Sequence, residues 1–149
     1  MKICNNNMVC KEMRINRRCV YSLLLYVYLF LILGSTVIFR TYNNEVGHNF
    51  TLFWSYAAIN EGRGDLIVEN VLNLLMLLPV GFLLGLSLKH VRWWVVLLVG
   101  LASSTLIEAL QLIFRRGYSE FDDIIHNTLG CIIGYGLYRL LLAYQKKVR

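Results

Sequence analysis

The sequence predicts an all-α membrane protein of four transmembrane helices with both termini cytoplasmic, and three observations carry that reading. The chain has 149 residues, of which 57 % are apolar and 16 % charged, whereas a soluble domain is nearer about 45–50 % apolar. Stretches 19–39, 66–88, 93–114 and 124–144 each approach the roughly 20 apolar residues that cross a bilayer. Basic residues then alternate between the ends of these stretches. Eleven lie before the first, between the second and third, and around the end of the fourth, against four in the other two connections. Since basic loops stay on the cytoplasmic side, the chain reads as N-in and C-in.

Residues 1–18 form a polar, basic cytoplasmic tail carrying Lys2, Lys11, Arg14, Arg17 and Arg18, with Met8 and Met13 as alternative starts. Disorder is expected there. Residues 19–149 form one membrane domain. Its first apolar run is too long for a signal peptide and no A-x-A site follows, so it is expected to be a retained anchor helix. The net charge of +6 does not indicate nucleic acid, because the charges flank apolar segments instead of forming one patch. Cys4, Cys10 and Cys19 fall on the reducing side and Cys131 inside the last span, which argues against a disulfide framework.

The first outer loop contains FTLFWSYAAI, in which Phe50, Phe53, Trp54 and Tyr56 cluster without enough length to span. Aromatic side chains of this kind settle at a membrane interface, so residues 50–59 are expected to lie flat on the outer surface. Span two opens on Glu69, Asn70 and Asn73 and continues through Pro79, Gly81 and Gly85, where a bend or tight crossing is expected. Span three ends with Glu108 and Gln111 on one helix face. A charged turn with Arg115, Arg116 and Glu120 follows. Span four begins at Asp122 and Asp123, favoured near a helix N-terminus, and runs through Asn127 to the small-xxx-small pair Gly130 and Gly134.

Alternating topology brings Asn73, Glu108 and Asn127 to a common depth, about 5–11 Å below the outer surface at 1.5 Å per residue. Three helices therefore contribute polar groups at one level. An interhelical network of amides alone would fit packing, but a glutamate, an aspartate pair and two arginines point to a polar pocket. Arg115 and Arg116 suit phosphate oxygens, and at the outer interface those belong to lipid head groups. Glu108 and Asp123 are the candidate catalytic carboxyls, with Asn73, Gln111, Arg115, Arg116 and Asn127 as substrate-binding groups. No cofactor is expected. A divalent cation at Asp122 and Asp123 is disfavoured, because two carboxylates make a weak site without the substrate's own oxygens. His126, one step off the polar face, is left outside the core set. The chain contains no G-x-S-x-G, metal-ligand His pair or Walker loop.

In order along the chain, HNFTLFWSYAAI, ENVLNLLMLLPVGFLLG, IEALQ and FDDIIHNTLGCIIGYG resemble the VanZ-like family of small bacterial membrane proteins over roughly residues 39–142. Leu52 stands where relatives often carry proline, Glu120 where they carry aspartate, and His126 where an apolar residue is usual. The resemblance implies an association with resistance to glycopeptide antibiotics of the teicoplanin type at the cell envelope. It also implies kinship with intramembrane enzymes suggested to act on lipid head groups, and its polar positions fall on Asn73, Glu108, Gln111, Arg115 or Arg116, Asp123 and Asn127. The leading expectation is a multi-pass protein of the bacterial plasma membrane that binds a membrane lipid or lipid-linked cell-wall precursor and, if it is an enzyme, modifies it as a head-group phosphoester enzyme. A non-catalytic accessory protein packing against an envelope partner is the alternative. A transporter ranks third, since no inverted repeat is visible.

Overall fold

The computed structural model describes residues 16–40, 42, 47–88 and 90–148. Lys2, Lys11, Arg14, Cys4, Cys10, Met8 and Met13 of the basic tail lie outside the described residues, as do Lys89 and Arg149. Helix α1 (Arg17–Leu33) runs into a π-helical turn (Gly34–Ile38), followed by β1 (His48–Asn49) and the short α2 (Trp54–Asn60). Then come α3 (Asp65–Ser87), α4 (Trp93–Phe114), β2 (Ser119–Glu120) and α5 (Phe121–Val148).

Local chemistry explains where these elements begin and end. Asn16 caps α1, its Oδ1 accepting from Arg18 N at 3.2 Å, which satisfies one of the free amides of the first turn. Helix α4 stops because Arg115 turns left-handed at φ 53°, and Arg116 N then donates back to Gln111 O at 2.8 Å. In α5, Asp122 and Asp123 lie in the first turn and Lys146 and Lys147 in the last, matching the helix dipole at both ends.

Among the described residues, three helices are long and apolar enough to cross a membrane: Arg17–Ile38, Asp65–Ser87 and Trp93–Phe114. The expected all-α architecture is thus observed. Helix α5 covers the region of the expected fourth span at 28 residues, with Asp122, Asp123, Arg139, Lys146 and Lys147 along it. One departure is the parallel pairing of β1 with β2, His48 opposite Ser119 and Asn49 opposite Glu120. Two residues a side are too short to show alternation in a sequence.

Helix α3 is the centre of the packing, contacting α5 most extensively and α1 next. Buried residues of all four long helices meet in one core: Leu25 and Ile32, Leu77, Val80 and Leu84, Val96 and Ile107, Cys131 and Tyr135. Glycines permit the close α3–α5 crossing. A Cβ at Gly130 or Gly134 would collide with the carbonyl of Leu74 or Leu78, and one at Gly81 with that of Cys131. The helix remains continuous through Pro79. Outward faces carry exposed Leu23, Phe30, Leu31, Leu75 and Leu106, a surface suited to hydrocarbon.

Candidate functional site

Where α1 and α4 finish and α3 and α5 begin, the helix ends enclose a cavity of about 390 Å³. Thr36 of the π-helical turn and Arg40 just beyond it form one side, Asp65, Val68, Glu69, Leu72, Asn73 and Met76 of α3 another, and Glu108, Gln111 and Asp123 the remainder. Glu108, Gln111 and Asp123 are 4 %, 3 % and 8 % exposed, so their polar groups depend on partners within the protein. Asp123 Oδ1 accepts from Asn73 Nδ2 at 2.5 Å. Glu108 Oε2 accepts from the backbone of Glu120 at 3.0 Å. The Gln111 amide donates weakly to Thr36 O at 3.4 Å, and its Oε1 has no partner among the described residues.

A second layer fixes these groups. Ser119 N donates to Gly47 O at 3.2 Å beside the β1–β2 pair, which brings the α4–α5 connection against the segment after α1. Glu120 Oε2 accepts from Trp54 Nε1 at 2.9 Å, and burial pushes the Glu120 carboxyl above the ordinary glutamate range although that hydrogen bond works against the shift. Asp122 turns to the start of α2. It accepts from Phe53 N at 2.6 Å, Ser55 N at 3.0 Å and Ser55 Oγ at 2.6 Å. Phe53 adopts a left-handed φ of 61° there. Asn70 Nδ2 reaches the same Ser55 hydroxyl at 3.2 Å, so α2, α3 and α5 share one buried polar knot.

The arginines gather at the mouth. Arg116 Nη1 donates to Arg40 O at 2.6 Å, and Arg115 Nη1 lies 3.4 Å from Tyr42 Oη. The Arg40 guanidinium rests against Gly117, where an added Cβ would come within 2.8 Å of Cζ. Arg40 thus lines a cavity whose wall carries four carboxyls, and Arg116 is tied to the Arg40 backbone.

The family model described as VanZ/LLP1 matches residues 19–142 of this chain. The chain belongs to the VanZ/LLP1 family. A relative described as Protein VanZ, from Enterococcus faecium, is 32 % identical over 72 residues, 48 % of this chain and 45 % of that protein. The match therefore spans less than half the length of this curated relative. No solved structure matches significantly.

The VanZ/LLP1 match encloses every residue of the cavity. Of the sequence-predicted site residues, the structure brings Asn73, Glu108, Gln111 and Asp123 together around one space. Arg115 and Arg116 stand on the adjoining turn, outside the lining. Asn127 lies away from it too, its Nδ2 donating to Ser104 Oγ at 3.0 Å within the α4–α5 contact. His126 pairs with Tyr56 Oη at 2.8 Å in a separate, mostly apolar groove of about 400 Å³ on another side of α3. Asp122 and Asp123 face different partners, the amides before α2 and Asn73 respectively. Sequence reasoning missed Thr36, Arg40, Asp65 and Glu69 as cavity residues. Their signal was weak: each sits at the edge of an apolar run, where flanking polar residues are usual.

Proposed function

We propose that this chain is a four-span protein of the bacterial plasma membrane, both termini cytoplasmic, whose cavity lies in the outer leaflet and takes the head group of a phosphate-bearing lipid or lipid-linked cell-wall precursor. The observation that carries this reading is the placement of buried Glu108 and Asp123 on one cavity that Arg40 also lines, with Arg115 and Arg116 on the adjoining turn. A volume of about 390 Å³ falls within the usual range of small-ligand sites, about 300–1,000 Å³. The orientation follows from the basic tail, Arg92, Arg139, Lys146 and Lys147, which mark the opposite end as cytoplasmic. The aromatic segment with exposed Phe50, Phe53 and Tyr56 then lies at the outer interface. Family membership supports an envelope role associated with glycopeptide resistance of the teicoplanin type.

The two carboxyls suit phosphoester chemistry. In a hydrolytic reaction one takes the proton of a water attacking phosphorus, and the other returns a proton to the departing alcohol oxygen. Arg40, Arg115 and Arg116 would balance the phosphate charge, while Asn73 and Gln111 orient the acids and the head group. An accessory role through exposed polar helix ends is less well supported, because the polar groups here turn inward on the cavity and on the chain's own loop.

Glu108→Gln tests the reading, since it keeps size but removes the titratable acid. In cells whose teicoplanin susceptibility depends on this protein, the variant is expected to accumulate normally in the membrane and to lose its protective effect. Full protection by the variant would contradict an acid–base role. Disappearance of the protein from the membrane would assign Glu108 to packing.

A further inference from the structure

One side of the cavity is apolar and open. Val68 and Leu72 line it beside Asn73, yet they are 61 % and 60 % exposed, so on this side the space reaches the outer face of α3. Next to it, between α1 and α3, lies a groove of about 410 Å³ whose lining includes Tyr28, Leu31, Ser35, Phe39 and Met76. Met76 lines both spaces, and the π-helical turn gives Ser35 to the groove and Thr36 to the cavity. At 1.5 Å per residue, Tyr28 and Met76 each lie about 16 Å along their helices from Phe39 and Asp65. That is about one leaflet of a hydrocarbon core roughly 30 Å thick. The groove therefore runs from the level of the cavity toward the middle of the bilayer. Its chemistry does not suit a polar occupant. The Tyr28 hydroxyl donates to Met76 O at 3.0 Å and the Ser35 hydroxyl to Ile32 O at 2.9 Å, and the other lining side chains are apolar, so a polar ligand would be desolvated there without gaining a donor. By contrast, the apolar groove at Tyr56 and His126 shares no lining residue with the cavity.

We propose that the cavity is entered sideways from the outer leaflet, between α1 and α3, and that the α1–α3 groove holds a hydrocarbon tail of the lipid whose phosphate head group occupies the cavity. The inference rests on the reading of the cavity as a head-group site and adds where the remainder of the ligand lies. Continuity through Met76 selects this occupant: a lipid seated with its phosphate at Arg40 has its tail leaving past Leu72 and Met76, where the groove begins. Head and tail are then recognised together, and a free phosphate ester gains only part of the contact. Glu108 and Asp123 stay free for proton transfer, since the tail touches neither.

The test uses the full chain in nanodiscs of digalactosyl diacylglycerol, a bilayer lipid without phosphate. The probes are phosphatidic acid and diacylglycerol carrying the same diazirine in mid-tail, with free glycerol 3-phosphate as competitor. Native mass spectrometry counts the bound probe, and peptide mapping after illumination locates its tail. Labelling of Tyr28, Leu31 and Met76 by phosphatidic acid is expected to exceed that by diacylglycerol about tenfold, the scale of one charge-assisted hydrogen bond to the phosphate. Arg40→Leu is expected to remove the excess, and Ser35→Trp, which fills the groove, to move the label off those residues. The comparison of probes needs no variant, so misfolding of either would leave the test intact. Equal labelling of the groove by both probes, with phosphatidic acid still the one retained, would make it a surface for any lipid and overturn the tail assignment while the head-group reading stands. Phosphate-dependent labelling concentrated on Ile67, Val71 and Leu74 would do the same. Displacement of phosphatidic acid by an equal concentration of glycerol 3-phosphate would show that the head alone binds and would also overturn the tail assignment. No preference for phosphatidic acid in either retention or labelling would overturn both readings.

Discussion

Asp122 and Asp123 are neighbours with opposite tasks. Successive helical side chains point about 100° apart, so Asp123 meets Asn73 in the cavity while Asp122 holds the backbone before α2. That hold accounts for the left-handed Phe53, a conformation costly for an aromatic residue. Asp122 accepts three hydrogen bonds, and each bond to a charged group contributes roughly 1.5–3 kcal/mol. Asp122→Ala is therefore expected to cost at least about 3 kcal/mol in denaturant unfolding of the detergent-solubilised protein. Asp123→Asn, which keeps an acceptor for Asn73, should unfold close to the native midpoint. Equal stability of Asp122→Ala and the native chain would remove the anchoring role. The distinction was not legible in the sequence, where both aspartates read as one acidic pair. Only the rotation of α5 about its axis separates them, and that is set by its packing on α3.

Among the elements, the α3–α5 crossing governs where the cavity walls stand. Gly130 lies against Leu74 O, whereas nothing lies within 4 Å of a Cβ added at Gly136. Gly130→Ala should force the helices apart and cost about 1–3 kcal/mol. Gly136→Ala should be neutral or stabilise by up to about 1 kcal/mol through helix propensity. Thermal unfolding of the two variants compares a methyl added with and without room, and equal effects would contradict the close approach. This contact was readable from the small-xxx-small spacing, as were the extents of α3 and α4 from their apolar runs. The π-helical turn was not readable. It places Thr36 on the cavity and leads to Arg40, yet the segment Gly34–Ile38, GSTVI, carries no residue pattern that separates a π-helical turn from a continuing α-helix. Asn127 shows the same limit from the other side: its polarity inside an apolar run was visible, but its turn toward Ser104 depends on the helix pairing.

Across the whole molecule, the polar knot of α2, α3 and α5, the β1–β2 contact and the glycine crossing all act on one end of the helices. They hold Glu108, Gln111, Asn73 and Asp123 around a single space while apolar faces surround the rest. The sequence revealed this convergence because polar residues are rare in its apolar spans and each therefore stood out. It did not reveal that Asp65 and Glu69, exposed at the start of α3, border the same cavity. The central claim is that this cavity acts on a phosphate-bearing lipid. It is tested most directly by mass spectrometry of membrane lipids from cells producing the native chain, Glu108→Gln, or no protein. The account expects one phosphate-bearing species to change in abundance with the native chain, and the Glu108→Gln membranes to match those without the protein. Indistinguishable lipids in all three membranes would contradict it.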